Sequence, residues 1–211
     1  MATPGETGGP GTSKPAPRSK RGERTRNALI TAARAVFERD GYLEARIADI
    51  AREAGAATGS FYTYFSDKES IFAALVEEVQ EEMVHPHLRE RTGISDPRLL
   101  IDSANREYLN SYRKNARLMA LFEQVAHIDP EFRKLRIDRG MAFYQRNAAM
   151  IRSLQERGEA DPSLDPDVTA HALSAMVGRM ANMVFVLGHP IPFDLLVTTL
   201  NKIWINALRL E

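Results

Sequence analysis

Apolar residues recur along this chain at helical spacing from Arg24 onward, and no run alternates with period two long enough to form a strand. The pattern predicts a first helix over about 23–39, with Leu29, Ile30, Ala33, Val36 and Phe37 on one stripe. It should stop near Asp40-Gly41, where glycine can take a left-handed cap. A second helix over about 47–54 should bury Ile47, Ile50, Ala51 and Ala54 and end at Gly55, and a third follows over about 58–64. Ser66-Asp67, with Glu69 in capping-box register from Ser66, should start a fourth that runs to His85-Pro86. Beyond a loop with Gly93 and Pro97, five more helices are expected over about 97–113, 115–126, 130–157, 165–187 and 193–209. Asp129-Pro130, Gly158, Asp161-Pro162, Asp165-Pro166 and Gly188-His189-Pro190 punctuate them. The expected fold is all-α, about nine helices, with no internal repeat.

The second and third helices are too short to stand alone and need the first as a floor. Joined by the tight Ala54-Gly55-Ala56 turn, they form a helix-turn-helix candidate. Phe61 and Phe65, four apart, should face inward. Thr58, Gly59, Ser60, Tyr62, Thr63 and Tyr64 are then left on an outward side that is polar, aromatic and nearly free of acid. Such a face suits duplex DNA: hydroxyls donate to phosphates, Gly59 permits close backbone approach, and Thr58 or Thr63 can meet base edges. Lys68, in the first turn of the next helix, adds a cation at a positive dipole end.

Composition narrows the class. The chain has 211 residues, 44% of them hydrophobic, enough to bury a real core. It contains no cysteine, which removes disulfides and thiolate chemistry and fits a reducing cytoplasm. The first 21 residues hold no apolar signal core, and the most apolar stretch, 172–188, is interrupted by Arg179 and Asn182, so neither secretion nor membrane insertion is expected. Net charge is zero, yet Lys14, Arg18, Lys20, Arg21, Arg24 and Arg26 cluster against the single acid Glu23. Residues 1–20 are rich in Gly, Pro, Ser and Thr and are expected to be a disordered basic arm.

With those residues in place, the run Thr25 to Phe72 resembles the DNA-binding domain of the tetracycline-repressor (TetR) family of bacterial transcriptional regulators. The matching pieces are Ala33 and Phe37, Gly41-Tyr42, Asp49-Ile50-Ala51, Ala54-Gly55, and Phe61-Tyr62-Thr63-Tyr64-Phe65 followed by Lys68-Glu69. The resemblance covers about a quarter of the chain. It implies that the third helix enters the major groove, with Thr58, Gly59 and Thr63 at base-reading positions and Ser60, Tyr62, Tyr64 and Lys68 at phosphate contacts. Arg46 stands where the family usually has a Thr or Ser cap, preceded by Ala45, and is expected to reach a phosphate instead. Ala57 likewise lacks a capping side chain. The domains expected are 1–20 as the arm, 21–66 as the helix-turn-helix domain and 67–211 as a ligand-binding and dimerisation domain.

One short reader buries too little for specificity, so a homodimer on double-stranded operator DNA is expected. Ala172, Ala175, Met176, Met183 and Val184 on one long helix, with Leu196, Leu200, Ile203, Trp204 and Leu208 on the last, are the dimerisation candidates, and the resemblance points to the same pair of helices. Tyr108, Tyr112, Met119, Phe122, Phe143, Met150, Met176, Arg179 and Met180 are spaced so that they can converge on one cavity for a small hydrophobic effector. The five histidines are dispersed, no hydrolase or phosphate-loop motif occurs, and neither catalysis, a metal nor a cofactor is expected. A helical ligand-binding or adaptor protein without sequence-specific DNA binding is the alternative.

Overall fold

Ser19 opens the first helix, its Oγ accepting from the backbone N–H of Gly22 at 3.1 Å. The computed structural model describes residues 19–84 and 96–210, which divide into two compact units, one ending at Val79 and one beginning at Gln80. His85, His87, Gly93 and nearly all of the expected N-terminal arm lie outside the described residues. Lys20, Arg21, Arg24 and Arg26, however, belong to α1 (Lys20–Glu44), which starts three residues before its apolar stripe suggested.

The first unit contains α1, α2 (Ile47–Glu53), α3 (Thr58–Tyr64) and most of α4 (Lys68–Val84). Leu29, Ala33, Val36 and Phe37 of α1 are completely buried, as are Ile50, Ala51, Phe61, Phe65 and Ile71. At Gly41 the backbone leaves the helical region (φ 78°, ψ 166°), so the expected stop is present as a break, followed by a last turn ending at Glu44. That break folds Tyr42 back onto Phe37 at 5.7 Å, and both rings pack on Phe72 of α4, at 4.7 Å and 5.1 Å. The early turns of α4 therefore complete this core, and the compact unit extends past Ser66.

The capping box of α4 lies one residue later than expected. Asp67 Oδ1 accepts from Ser70 N at 2.7 Å, and Ser70 Oγ accepts from Asp67 N at 3.2 Å and Ser66 N at 3.1 Å. Glu69, the expected partner of Ser66, instead accepts a hydrogen bond from the Tyr42 hydroxyl at 3.1 Å.

The second unit is built from α5 (Pro97–Lys114), α6 (Ala116–Ile128), α7 (Pro130–Glu156), α8 (Pro166–Phe185) and α9 (Phe193–Leu208). Three of these begin with the same device. Asp96, Asp129 and Asp165 cap with their carboxylates, and a proline whose fixed φ suits the helix takes the first position. α7 packs along α8 and α5 along α9. On α9 the expected dimerisation row is internal: Leu196, Leu200, Trp204 and Leu208 are buried within this chain, while Leu195 and Ile203 are exposed. On α8, Ala172 and Ala175 are exposed, and Met176, Met183 and Val184 are partly buried.

Candidate nucleic-acid interface and internal slot

The turn between α2 and α3 is closed by two backbone bonds, Ala56 N to Ala51 O at 2.9 Å and Gly55 N to Arg52 O at 3.0 Å. This is a Schellman pattern, and it requires the positive φ (64°) that Gly55 adopts. It aims α3 so that Phe61 and Phe65 anchor completely, their rings 5.6 Å apart. The Arg26 guanidinium covers the Phe65 ring at 5.5 Å, which ties the basic start of α1 to the reader.

The outward side of α3 carries the residues expected there. Thr58, Gly59 and Thr63 are exposed, and Tyr62 is 47% exposed with its ring edge-on to Phe61; Ser60 and Tyr64 are half-buried. No Cβ contact would arise at Gly59, so its lack of a side chain leaves open surface. Neither α2 nor α3 has a side-chain cap: Arg46 and Ala57 occupy the cap positions without a capping hydrogen bond, and Arg46 is exposed. Lys68 departs from the picture of a free cation. Its Nζ donates to the carbonyls of Tyr42 and Leu43, and it is half-buried.

The second unit encloses a narrow slot of about 30 Å³ between α5, α7, α8 and α9. Tyr108 and Phe143, two of the expected effector residues, face each other across it with ring centroids 6.0 Å apart, and Met150 lines it too. Tyr112 stacks behind Tyr108 and toward Phe185. Burial pushes both phenols above their ordinary value, so each stays protonated and able to donate. The Tyr108 hydroxyl rests against the bare backbone of Gly178, where a Cβ would come within 3.3 Å.

The other expected effector residues are not brought to the slot. Phe122 packs on Phe132, and Met119, Met176, Arg179 and Met180 do not line the void. Arg179 is exposed and reaches Asn182, whose amide donates to Glu123 at 2.9 Å; Glu123 in turn pairs with Arg136. Sequence reasoning missed Asn105, Asn147, Ser174 and Trp204, which do line the slot. A signal for one was present: Asn105 interrupts the apolar row Ile101, Leu109, Tyr112 on α5, and a polar residue on a buried stripe needs an explanation.

A short helix anchored by two buried aromatics, following a Schellman turn and presenting a polar, acid-free face, is a helix-turn-helix reader, and it defines a DNA-binding transcriptional regulator. Comparison with known proteins agrees. Residues 29–75 match the model of bacterial regulatory proteins of the tetR family, and residues 101–209 match that of the C-terminal domain of the transcriptional regulator EthR. The chain belongs to the TetR family of transcriptional regulators. It is 24% identical over 195 residues to the uncharacterized regulator YdgC of Bacillus subtilis, spanning 86% of this chain and 91% of that one. To the regulator EthR of Mycolicibacterium smegmatis it is 23% identical over 190 residues, spanning 86% and 84%. The fatty acid degradation regulator FadR from Bacillus halodurans shares the fold, with a TM-score of 0.77 at 18% identity over 89% of this chain and 97% of that one.

Proposed function

We propose that the chain is an effector-responsive repressor that binds a palindromic operator as a homodimer and is released by a small hydrophobic molecule. The observation that carries the DNA-binding half is the division of α3. Phe61 and Phe65 are buried completely, so Thr58, Gly59 and Thr63 stand free at base-reading positions, with Ser60, Tyr62 and Tyr64 beside them for phosphates. Arg46 and Lys68 add positive charge at the starts of α2 and α4. The effector half is supported by the slot in the second unit, lined by Tyr108 and Phe143.

Release is a shift between two populations. Converting operator occupancy from 99:1 to 1:99 takes about a 10⁴-fold preference of the effector for the unbound form, roughly 5.5 kcal/mol. Burial of a few hundred Å² of apolar ligand, at about 25 cal/mol per Å², supplies energy of that order when the two forms differ at the slot. Dimerisation through exposed positions of α8 and α9 sets two readers about 34–36 Å apart or a multiple of it.

A gel-shift assay on the DNA upstream of the protein's own gene tests the reading. Retardation at low salt that is reversed by a hydrophobic extract is expected. Absence of retardation at low salt, with and without extract, overturns it.

A further inference from the structure

The slot has three properties that together select a ligand. First, its lining is uncharged: Asn105, Asn147, Ser174, Tyr108 and Trp204 supply the polar groups and apolar side chains the remainder. An ammonium or a carboxylate seated there would lose its hydration with no opposite charge to replace it.

Second, one strong donor is unmet. Trp204 is 4% exposed, and its Nε1–H is buried without a hydrogen-bond partner. Buried indole N–H groups nearly always find an acceptor, so a ligand acceptor placed here recovers an interaction the empty protein forgoes. The neighbouring amides are already committed. Asp102 can only accept, so Asn201 must donate to it through Nδ2 (2.6 Å), which leaves Asn201 Oδ1 to accept from Asn105 Nδ2 at 2.8 Å. Asn147 Nδ2 likewise donates to Ser174 Oγ at 2.9 Å.

Third, the void is long and thin. Its lining on α5 runs from Leu100 to Tyr108, about 12 Å of helix at 1.5 Å per residue. The enclosed 30 Å³ holds about one water, so a ligand must part the walls as it enters. Met150, an unbranched thioether, is suited to that movement.

We propose that this slot binds an elongated, uncharged, apolar molecule carrying a carbonyl acceptor, as in an ester, ketone or amide, with that oxygen against Trp204 Nε1–H. The inference rests on the effector-responsive reading and gives the effector its chemical class.

Trp204 is the only tryptophan in the chain, so its fluorescence reports on the slot directly. The probes are ethyl octanoate, octanoate, octyltrimethylammonium and octyl chloride, the last sharing an apolar chain but lacking a comparable acceptor. With the full-length protein, ethyl octanoate should change the Trp204 emission and raise the melting temperature, and the two ions should do neither. Calorimetry should show octyl chloride binding roughly 10-fold more weakly than the ester, about one hydrogen bond. Trp204→Phe should erase that difference while still binding both. Ala104→Phe, which fills the slot and keeps Trp204, should abolish the ester-induced emission change, so the test survives if Trp204→Phe does not fold. Ions bound as tightly as the ester, an ester preference that persists in Trp204→Phe, or ester binding that survives Ala104→Phe would each overturn the proposal. All readouts are made without DNA. A protein that prefers the ester but fails the gel shift therefore overturns the DNA reading and leaves the ligand class standing.

Discussion

The Lys68 ammonium lies 4.8 Å over the Tyr42 ring and donates to the Tyr42 carbonyl at 2.9 Å, with a second bond to the Leu43 carbonyl at 3.1 Å. A lysine from the start of α4 thus satisfies carbonyls in the last turn of α1, just past the break at Gly41, where a cation also complements the helix dipole. Lys68→Ala should lower the unfolding free energy by about 1–2 kcal/mol, the range for charge-assisted hydrogen bonds on a half-exposed amine. Operator binding should weaken for all sequences alike, and the log–log salt slope should fall by roughly one unit. Urea unfolding and salt-titrated gel shifts measure the two effects separately. An unchanged unfolding midpoint would mean that the contacts to α1 contribute nothing.

Base reading and phosphate contact separate by residue on α3. Tyr62→Phe removes one exposed hydroxyl and should weaken all DNA sequences by about the same factor, roughly 3- to 10-fold for one hydrogen bond. Thr63→Val keeps the shape and removes a donor at a base-reading position, so it should alter sequence preference more than affinity for random DNA. Selection of binding sites from a randomised duplex pool distinguishes the two variants.

The missing caps leave stability to be gained. Ala57 precedes α3 in an extended conformation suited to capping (φ −70°, ψ 146°) but has no side chain to do it. Ala57→Ser should stabilise the protein by about 0.5–1 kcal/mol, the usual value of an N-cap oxygen. A chemical-denaturation midpoint that does not move would show that the start of α3 cannot accept the bond.

Asp161 links the end of α7 to the end of α9. Its carboxylate accepts from Ser163 N at 2.9 Å and Ser163 Oγ at 2.7 Å, and pairs with Arg209 Nε at 3.1 Å. These partners, the Ser163 hydroxyl first, hold its pKa below the ordinary carboxylate value. A group with a depressed native pKa contributes stability above its unfolded pKa and loses it as pH falls through the native one. The protein should therefore lose part of its stability below about pH 4, where unfolded aspartates protonate. Asp161→Asn should flatten that acid limb in urea unfolding followed as a function of pH, and an unaltered limb would assign the acid sensitivity elsewhere.

The exposed Ile203 and Leu195 on α9 mark the face available to a second copy. Ile203→Glu should convert a dimer to a monomer in sedimentation velocity and lower operator affinity with it, since like charges would meet across a two-fold axis. A variant that remains dimeric would move the interface away from this face.

Much of the second unit is legible because its boundaries are local chemistry. The Asp-Pro pairs at 96–97, 129–130 and 165–166 each supply a cap and a preset φ, and Gly158 adopts the positive φ (73°) that ends α7. Ambiguity enters where two local solutions lie one residue apart. Ser66 with Glu69 and Asp67 with Ser70 both fit a capping box, and the choice falls to the second because Glu69 accepts from Tyr42, far away in sequence. On α9 the row Leu196, Leu200, Trp204, Leu208 announces burial without naming what buries it, and the partner is this same chain. The slot was only half legible for a related reason. Large residues such as Tyr108 and Phe143 signal volume, whereas Asn105 and Trp204 matter through contacts made or left open across other helices, and helical spacing records none of that.

The burial of Phe61 and Phe65 also bears on how a regulator of this kind diversifies. The two rings hold α3 in place, and the exposed Thr58, Gly59 and Thr63 contribute little to that anchoring. Substitutions at those outward positions can accumulate at small cost to folding, since exposed changes seldom exceed about 0.5 kcal/mol. A duplicated copy of the gene can therefore acquire a new operator by drift on one face of a seven-residue helix, with the scaffold beneath it left untouched.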